Sequence, residues 1–393
     1  MKRSICAITS SRADFGLLKP LLQKINRDPS CELNLVATGR HLSHEHGFTL
    51  REIVEEGFEL TETLEIADYG DSKESIAHQI SKIIENSLKH FLRSKPDLFL
   101  VLGDRFEIFA TVVSAHIAGI PVAHIHGGEV TYESLDDAYR HSITKLARLH
   151  FVSNEDHKRR VIQLGEEPKF VYNVGALGLE NVCNVPYATR SQIESKLGIT
   201  LSEKNLLITM HPNSITPENT EAEICSVLKA VEKVSGATLI FTGPNGDERG
   251  SVISMKIQEY CKAHENSHYF ESLGTTNYLQ LAKHVDAVVG NSSSGIIEIP
   301  SLGVPTINIG SRQLGRQQAL SIINCRAETS EIDAALNLVF VKKTTNKPAT
   351  IWNPYGAGDT SQEILKILKS IDLVGLSSKK FHDITHQKTS ETT

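Results

Sequence analysis

The segment Val289-Gly290-Asn291-Ser292-Ser293-Ser294-Gly295-Ile296-Ile297-Glu298 joins a predicted strand to a predicted helix. The apolar residues before it indicate a short buried strand, and Ile296–Ile299 begins the helix. Small hydroxylated residues between the two direct backbone N–H groups, hydroxyls and the positive end of a helix dipole to one point. This arrangement is typical of a phosphate site, although a serine-capped helix without a ligand has the same composition. Glu298 lies one turn into the helix, where a carboxylate can accept hydrogen bonds from a ribose diol.

The same alternation of strand and helix extends outward from this segment in both directions. The predicted strands are Ser4–Thr9, Leu33–Ala37, Leu98–Leu102, Pro121–Ile125, His150–Val152, Phe170–Val174, Leu206–Met210, Thr238–Thr242, Ala287–Val289 and Pro305–Ile309. Strands that alternate with helices form parallel sheets covered on both faces. The sequence therefore predicts an α/β protein with two Rossmann-like domains and a cleft between them.

Punctuating residues place the domain boundaries. Asn, Pro and Ser interrupt the pattern between residues 178 and 191, which predicts a first domain over 1–178 and a second over 179–360. We expect a helix within 361–376 to pack back on the first domain. Residues 377–393 are polar, and we expect a frayed tail there.

The bulk composition excludes several classes of protein. Of 393 residues, 40% are hydrophobic and 22% charged, which is typical of a soluble globular protein. A formal net charge of −6 argues against binding to nucleic acid or to an anionic membrane. The six cysteines show neither a CxxC pair nor a zinc spacing, and no apolar run is long enough for a membrane span. We expect a cytoplasmic protein with reduced thiols.

Polar or ionisable residues follow the end of each predicted strand. They occupy positions 12–14, 39–41, 103–105, 126–129, 211–213, 243–245 and 291–295. Ligands of open parallel sheets bind beyond the carboxyl ends of the strands. These residues therefore predict a ligand site in the cleft between the two domains.

Several of these strand ends carry the motifs of a known family. In chain order the motifs are Ser11–Gly16 (SRADFG), Gly103–Glu107 (GDRFE), His124–Glu129 (HIHGGE), Arg140–Lys145 (RHSITK), His211-Pro212, Gly290–Gly295 (GNSSSG), and Ile307–Gln313 with Gly315-Arg316. Over residues 3 to 372 the chain resembles the hydrolysing UDP-N-acetylglucosamine 2-epimerases that start sialic acid synthesis. The resemblance implies a glycosyltransferase-B-like architecture, no metal or other cofactor, and a homodimer or homotetramer.

The chemistry implied by the resemblance has two stages. A base removes the proton at carbon 2 while UDP leaves carbon 1, and the resulting 2-acetamidoglucal then takes up water at carbon 1 and a proton on the other face of carbon 2. Asp104 and Asp136 match acid–base carboxylates of the family, and helix capping is the alternative role for both. The adjacent Asp137 is equally possible at the second position. His126 stands where many members have Glu, so either His126 is the base or Glu129 shares that role.

The resemblance also implies nucleotide-binding positions, in loops that hold the diphosphate and the ribose. They are Arg12, His211, Asn291, Ser292, Ser293, Gly295 and Glu298, with Arg316 a weaker candidate. The alternatives are a solvated loop arginine for Arg12 and a histidine satisfied by the Pro212 turn for His211.

The cluster His41–His46 resembles a metal site in composition, but elimination from a nucleotide sugar needs no metal. We interpret it as a loop over the substrate.

The leading functional hypothesis is hydrolysis of UDP-N-acetylglucosamine to N-acetylmannosamine and UDP. The same chemistry on UDP-N,N'-diacetylbacillosamine, the 4-acetamido-6-deoxy analogue of the legionaminic acid route, is the close alternative, because no motif reads carbons 4 and 6. A non-hydrolysing epimerase is a third hypothesis. From other classes come a UDP-sugar glycosyltransferase, which requires fewer acids, and a UDP-sugar-binding regulator, which requires none.

Overall fold

A computed structural model describes residues 2–43, 48–66, 70, 72–132, 134–213, 215–244, 249–343, 352–356, 358–376 and 378–384. Within these residues the chain forms two parallel β-sheets, each flanked by helices. The predicted α/β class with two Rossmann-like domains is confirmed. None of the helices in the described ranges combines the length and apolar character needed to cross a membrane.

The first described sheet has seven strands in the order β3-β2-β1-β4-β5-β6-β7. They are β1 Arg3–Thr9, β2 Cys31–Thr38, β3 Leu60–Leu64, β4 Leu98–Leu102, β5 Val122–Ile125, β6 Leu149–Val152 and β7 Val171–Asn173. Central strand β4 is buried along its whole length. Its side chains alternate between two apolar layers, with Leu98 and Leu100 in one and Phe99 and Val101 in the other. Burial on both faces explains why the strand reads as a continuous apolar run.

The second described sheet has six strands in the order β10-β9-β8-β11-β12-β13. They are β8 Lys204–Thr209, β9 Ala237–Thr242, β10 Ser267–Phe270, β11 Ala287–Gly290, β12 Thr306–Ile309 and β13 Ile322–Cys325. The predicted phosphate loop at 291–295 thus follows a central strand, β11, which pairs with β8 and β12.

The described helices cover both faces of the two sheets. In chain order they are α1 Arg12–Arg27, α2 Leu50–Glu55, α3 Lys73–Ser94, α4 Phe106–Ile117, α5 Asp136–Leu146, α6 Glu155–Gln163, α7 Leu177–Asn184, α8 Arg190–Leu197, α9 Thr220–Glu232, α10 Gly250–Ala263, α11 Gly274–Ala282, α12 Ser293–Ile297, α13 Thr329–Lys343 and α14 Thr360–Ser370. Short 3-10 turns lie at Gly39–Leu42, Pro168–Phe170, Pro217–Asn219 and Ile299–Leu302.

Two elements that the sequence analysis did not predict lie at one side of the first sheet. Strand β3 alternates partly buried and exposed residues, as expected of an edge strand with charged side chains. Helix α3 is long and amphipathic, and it packs on α4 through a narrow face that includes Ile83 and Ser87. Because α3 contains many polar residues, its narrow buried face does not appear as an apolar run in the sequence.

Helix α7 spans the predicted boundary between residues 178 and 179. It packs on α1 and α14, and it also contacts α11 and the Ile299–Leu302 turn of the second sheet's layer. Helix α14 lies on α1, with Ile364, Leu365 and Leu368 in the same apolar cluster as β1. The last helix in the described ranges therefore packs against the first domain, and α7 touches both domains.

The C-terminal segment after α14 is ordered further than the sequence analysis predicted. Lys379 Nζ donates to the carbonyls of Lys145 and Ala147 at the end of α5, at 2.6 and 2.8 Å. It also forms an ion pair with the buried carboxylate of Glu166 at 2.6 Å. Because this lysine satisfies carbonyls that a helix end leaves open, residues 378–384 are held on the first domain, and the expectation of fraying is wrong for them.

The docking of α14 generates a stability prediction. The buried Glu180 carboxylate of α7 accepts hydrogen bonds from Ser361 N, Ser361 Oγ and Lys24 Nζ, at 2.9, 2.6 and 2.9 Å. Although burial raises the pKa of Glu180, Ser361 and Lys24 lower it below its ordinary value. We expect Glu180→Gln to lower the free energy of unfolding by about 1–3 kcal/mol near pH 7, measured by urea denaturation.

Because the folded-state pKa is depressed, the contribution of Glu180 is present above the unfolded carboxyl pKa and is lost as pH falls through the folded value. The difference between wild type and Glu180→Gln should therefore shrink in acid. Glu363→Gln on the exposed face of α14 is the matched control. Equal, small effects of the two substitutions would contradict the role of Glu180.

Candidate active site

The loops at the carboxyl ends of the two sheets touch each other. Tyr132 N, after β5, donates to Leu314 O, after β12, at 3.3 Å. At Gly315 a Cβ atom would lie within 2.9 Å of side-chain atoms of Tyr132 and Val130, so the two loops pack closely. The predicted acid–base residues follow strands of the first sheet, and the predicted nucleotide residues other than Arg12 follow strands of the second.

His126 follows β5 and has a left-handed backbone conformation, with φ of 67°. This conformation is strained for a residue other than glycine, and such strain concentrates at functional sites. Its Nδ1 lies 3.1 Å from Glu129 Oε1, and its Nε2 lies 3.4 Å from the backbone N of Leu177. The Glu129 contact orients the imidazole so that Nε2 faces the start of α7.

Glu129 is buried, 2% exposed, and three side chains converge on it. Besides His126, Arg316 Nη1 lies 3.0 Å from Oε2, and Ser153 Oγ donates to Oε1 at 3.3 Å. Burial raises the pKa of Glu129, but Arg316 and His126 outweigh it and hold that pKa well below the ordinary value. Glu129 is therefore an ionised carboxylate that joins His126 of the first domain to Arg316 of the second.

Asp104 follows β4 and pairs with Arg140 of α5. The buried Arg140 guanidinium also donates to Asp137 Oδ1 at 2.8 Å and to the carbonyl of Glu129 at 3.2 Å. It thereby fixes Asp104 relative to the Glu129 loop. The Asp104 side chain remains 24% exposed, so it is partly accessible to solvent.

The structure separates the adjacent acids Asp136 and Asp137. Asp137 accepts from Thr131 N at 2.7 Å and from Arg140, and it lies 3.4 Å from His141 Nε2. These contacts make Asp137 a structural acid that holds the loop before α5. Asp136 is half-buried in the first turn of the same helix, and its charge raises the pKa of Tyr139, for which burial is the larger cause.

On the second sheet, Asn291 and His211 form one unit. Asn291 Oδ1 accepts from His211 N at 2.7 Å, and Asn291 Nδ2 donates to His211 O at 2.8 Å. The buried Asn291 side chain thus positions His211, because both ends of its amide are engaged by that backbone. Ser292 and Ser293 are half-buried at the start of α12.

Two glycines of this loop lie too close to neighbouring residues to carry a side chain. Gly290 has φ of 136°, and a Cβ there would overlap the carbonyl of Thr209 on the neighbouring strand. Gly295 packs on Thr306, whose hydroxyl donates to the Gly295 carbonyl at 2.8 Å. Both positions therefore require the absence of a side chain.

Glu298 lies where the two domains meet. Its Oε2 atom is buried and has no hydrogen-bond partner among the described residues. Burial raises the pKa of Glu298 to about 7, and the nearby Ser294, His126 and Arg316 oppose that rise. A buried acceptor without a partner is costly unless a ligand satisfies it.

Two predicted features lie apart from these clusters. Arg12 begins α1 with an exposed side chain that forms an ion pair with Glu52 at 3.6 Å, and no contact with the 291–295 loop is found among the described residues. The His41 ring is buried between the hydroxyls of Thr9 and Thr49, at 2.9 and 2.7 Å, and burial lowers its pKa to about 4. His44, Glu45 and His46 lie outside the described residues.

Sequence reasoning gave no role to Arg140 and only a weak one to Arg316. Both are cations that hold the acids in place, and both lie in the motifs Arg140–Lys145 and Gly315-Arg316. A second pair, Arg105 and the buried Glu107 at 3.1 Å, follows β4 beside Asp104. An arginine within a motif that is otherwise buried indicates a cation that pairs with a buried acid.

The family model described as UDP-N-acetylglucosamine 2-epimerase matches residues 23–369. The chain belongs to this family. It is 38% identical to the GDP/UDP-N,N'-diacetylbacillosamine 2-epimerase (hydrolyzing) of Campylobacter jejuni, over 98% of this chain and 100% of that protein. It is 34% identical to the polysialic acid biosynthesis protein P7 of Escherichia coli, over 99% of each.

Solved structures of family members share the fold. The Neisseria meningitidis UDP-GlcNAc 2-epimerase, crystallised with UDP-GlcNAc, superposes with a TM-score of 0.78 at 20% identity. The match covers 93% of this chain and 99% of that chain. The two-domain architecture of this epimerase-family chain is therefore that of its relatives.

The Glu129–Arg316 contact between the domains predicts energetic coupling. Removing Glu129 leaves Arg316 without its ion-pair partner, and removing Arg316 leaves the buried Glu129 carboxylate with only His126 and Ser153, so Glu129→Gln and Arg316→Met should each destabilise the protein. In a double-mutant cycle the two effects should be non-additive by about 1–3 kcal/mol, measured by urea unfolding. Glu62→Gln, on the far edge strand β3, should combine additively with Arg316→Met. Additivity for the Glu129 pair as well would contradict this interdomain contact.

Proposed function

We propose that this chain is a hydrolysing 2-epimerase of a UDP-linked 2-acetamido sugar. The observation that carries the proposal is the junction of the two sheets. There the His126–Glu129 pair and the Asp104–Arg140 pair lie across from the His211–Asn291 unit and Glu298. Proton-transfer groups on one side and a nucleotide loop on the other suit a reaction that removes a proton and expels a diphosphate.

We propose that His126 and Asp104 move the protons. In the first stage one of them takes the proton from carbon 2, the carbon 1–oxygen bond breaks, and UDP leaves with the bonding electrons, giving the 2-acetamidoglucal. In the second stage the hydroxyl of water bonds to carbon 1, and a proton is delivered to carbon 2 on the other face. Glu129 orients the imidazole of His126, because its carboxylate is already bound by three side chains. Asp136 remains a candidate for a third acid.

The departing diphosphate requires stabilisation from the other side. Ser292, Ser293 and the Gly295 amide are proposed to bind the phosphates, together with His211, which Asn291 positions. The Nε of Arg316 is buried and has no hydrogen-bond partner among the described residues, so this guanidinium has a donor to offer beside its ion pair with Glu129. Arg12 is a further candidate that requires its exposed side chain to turn from Glu52.

For the sugar, we propose the 4-acetamido-6-deoxy compound UDP-N,N'-diacetylbacillosamine. The Campylobacter jejuni relative named for this substrate is 38% identical over its full length. The route through UDP-N-acetylglucosamine to sialic acid is the second candidate, supported by the 34% identity to the polysialic acid protein. The order of preference of the sequence analysis is thus reversed by the relatives.

A proton NMR time course in deuterium oxide tests the proposal. Purified protein is incubated separately with UDP-N,N'-diacetylbacillosamine, its GDP analogue and UDP-N-acetylglucosamine. We expect UDP and a free manno-configured sugar deuterated at carbon 2, with the largest kcat/KM for the first substrate. A deuterated UDP-linked sugar would indicate a non-hydrolysing epimerase, and no turnover of any substrate would contradict the proposal.

Substitution of Asp104 tests its role in proton transfer. Asp104→Asn keeps the shape of the side chain and its contact with Arg140 but removes the carboxylate, so kcat should fall by roughly 10²-fold or more. The dissociation constant for UDP, from isothermal titration calorimetry, should change little. Asp156→Asn is the control, because this half-buried aspartate of α6 pairs only with the neighbouring surface residue Arg159 among the ion pairs of the described residues. Near-normal kcat in Asp104→Asn would remove this residue from the reaction.

A further inference from the structure

The Glu298 carboxylate packs directly against the backbone of α7 at Gly178. A Cβ atom placed on Gly178 would lie 2.9 Å from Glu298 Cδ and 3.2 Å from Cγ, and closer still to Oε1. Distances as short as those to Oε1 and Cδ are essentially never found around a real Cβ atom, and the distance to Cγ is unusually short. The two residues can occupy these places only because position 178 has no side chain.

Backbone conformation does not explain the glycine. Gly178 lies in the first turn of α7 and does not have the positive φ of the many other glycines of the chain. Alanine is favoured over glycine inside a helix. The requirement at this position is therefore one of space, and the group that fills the space is Glu298.

The place of contact also matters for the site. The backbone N–H of Leu177, one residue earlier, faces His126 Nε2 at 3.4 Å. Helix α7 touches α1 and α14 on one side and the Ile299–Leu302 turn on the other. The first turn of α7 thus lies between the acid–base side of the cleft and the nucleotide side.

Glu298 has the character of a ligand-binding group at this junction. Its Oε2 is buried without a partner among the described residues, whereas Oε1 is the atom nearest to Gly178. If position 178 carried a methyl group, the Glu298 side chain would have to rotate, and Oε2 would leave its present place.

We propose that Gly178 is a positioning residue that determines where the Glu298 carboxylate meets the ribose of the UDP-sugar. This inference rests on the proposed function, in which Glu298 binds the ribose diol. Gly178 acts from the first-domain side of the junction, so the nucleotide contact forms only with α7 packed against the second domain. Substrate affinity and the docking of α7 are then linked through one contact.

A thermodynamic cycle isolates this contact. UDP affinity is measured by isothermal titration calorimetry for the full-length wild type, Gly178→Ala, Glu298→Ala and the double variant. Gly178→Ala should weaken UDP binding by about tenfold or more, the equivalent of one charge-assisted hydrogen bond. In the Glu298→Ala background the same substitution should change the dissociation constant by less than about twofold, because the overlapping group is gone.

Stability and kinetics separate positioning from a general disturbance. Alanine favours the helix while the displaced Glu298 side chain loses its present packing, so the two effects oppose each other and the melting temperature of Gly178→Ala should stay close to that of wild type. In turnover, KM should rise with the UDP dissociation constant, whereas kcat should change less. Asn184→Ala, at the exposed end of α7, raises helix propensity without approaching Glu298, and it should bind UDP as wild type does.

Two results would overturn the inference. One is wild-type UDP affinity in Gly178→Ala. The other is an equal loss of affinity on adding Gly178→Ala to Glu298→Ala, which would mean that the methyl group acts on something other than Glu298. Failure of the wild-type protein to bind UDP at all would instead overturn the proposed function on which the inference rests.

Discussion

The arrangement of the cleft depends on one buried carboxylate, Glu129. A buried charge is tolerated only when it is paired, and here the partners come from different domains: His126 from the first and Arg316 from the second. The same carboxylate therefore orients the imidazole and fixes the approach of the two sheets. Because the loops after β5 and β12 are also joined by a backbone hydrogen bond, this closed junction is specified by contacts within the candidate active site.

The remaining site residues are arranged around this pair by a few further constraints. Arg140 ties Asp104 and Asp137 to the carbonyl of Glu129, so the acids after β4 and at the start of α5 share one cation. On the opposite side, Asn291 holds the backbone of His211. Arg140 and the Asn291 amide do not need to contact the substrate themselves. They place the groups that are proposed to do so.

The sequence predicted the strands well where both faces of the sheet are buried. The central strands, such as β4 and β11, appear as apolar runs, and the polar residues after them mark the cleft. Edge strand β3 and helix α3 were missed, because their buried faces are narrow. In the candidate site, the motifs predicted roles for His126, Glu129 and Glu298, whereas pairings such as Arg316 with Glu129 join residues distant in sequence. Local patterns carry no information about those contacts, nor about Asn291 turning toward His211.

In the proposed reaction, UDP leaves by an elimination across carbons 1 and 2 of the sugar, and not by attack of water on phosphorus. Turnover in water enriched with oxygen-18, followed by phosphorus NMR of the UDP formed, tests this most directly. Cleavage of the carbon–oxygen bond leaves every oxygen of UDP in place, so the account predicts UDP without the heavy isotope. Oxygen-18 on the β-phosphorus would contradict it, since the bond broken would then be that between phosphorus and oxygen.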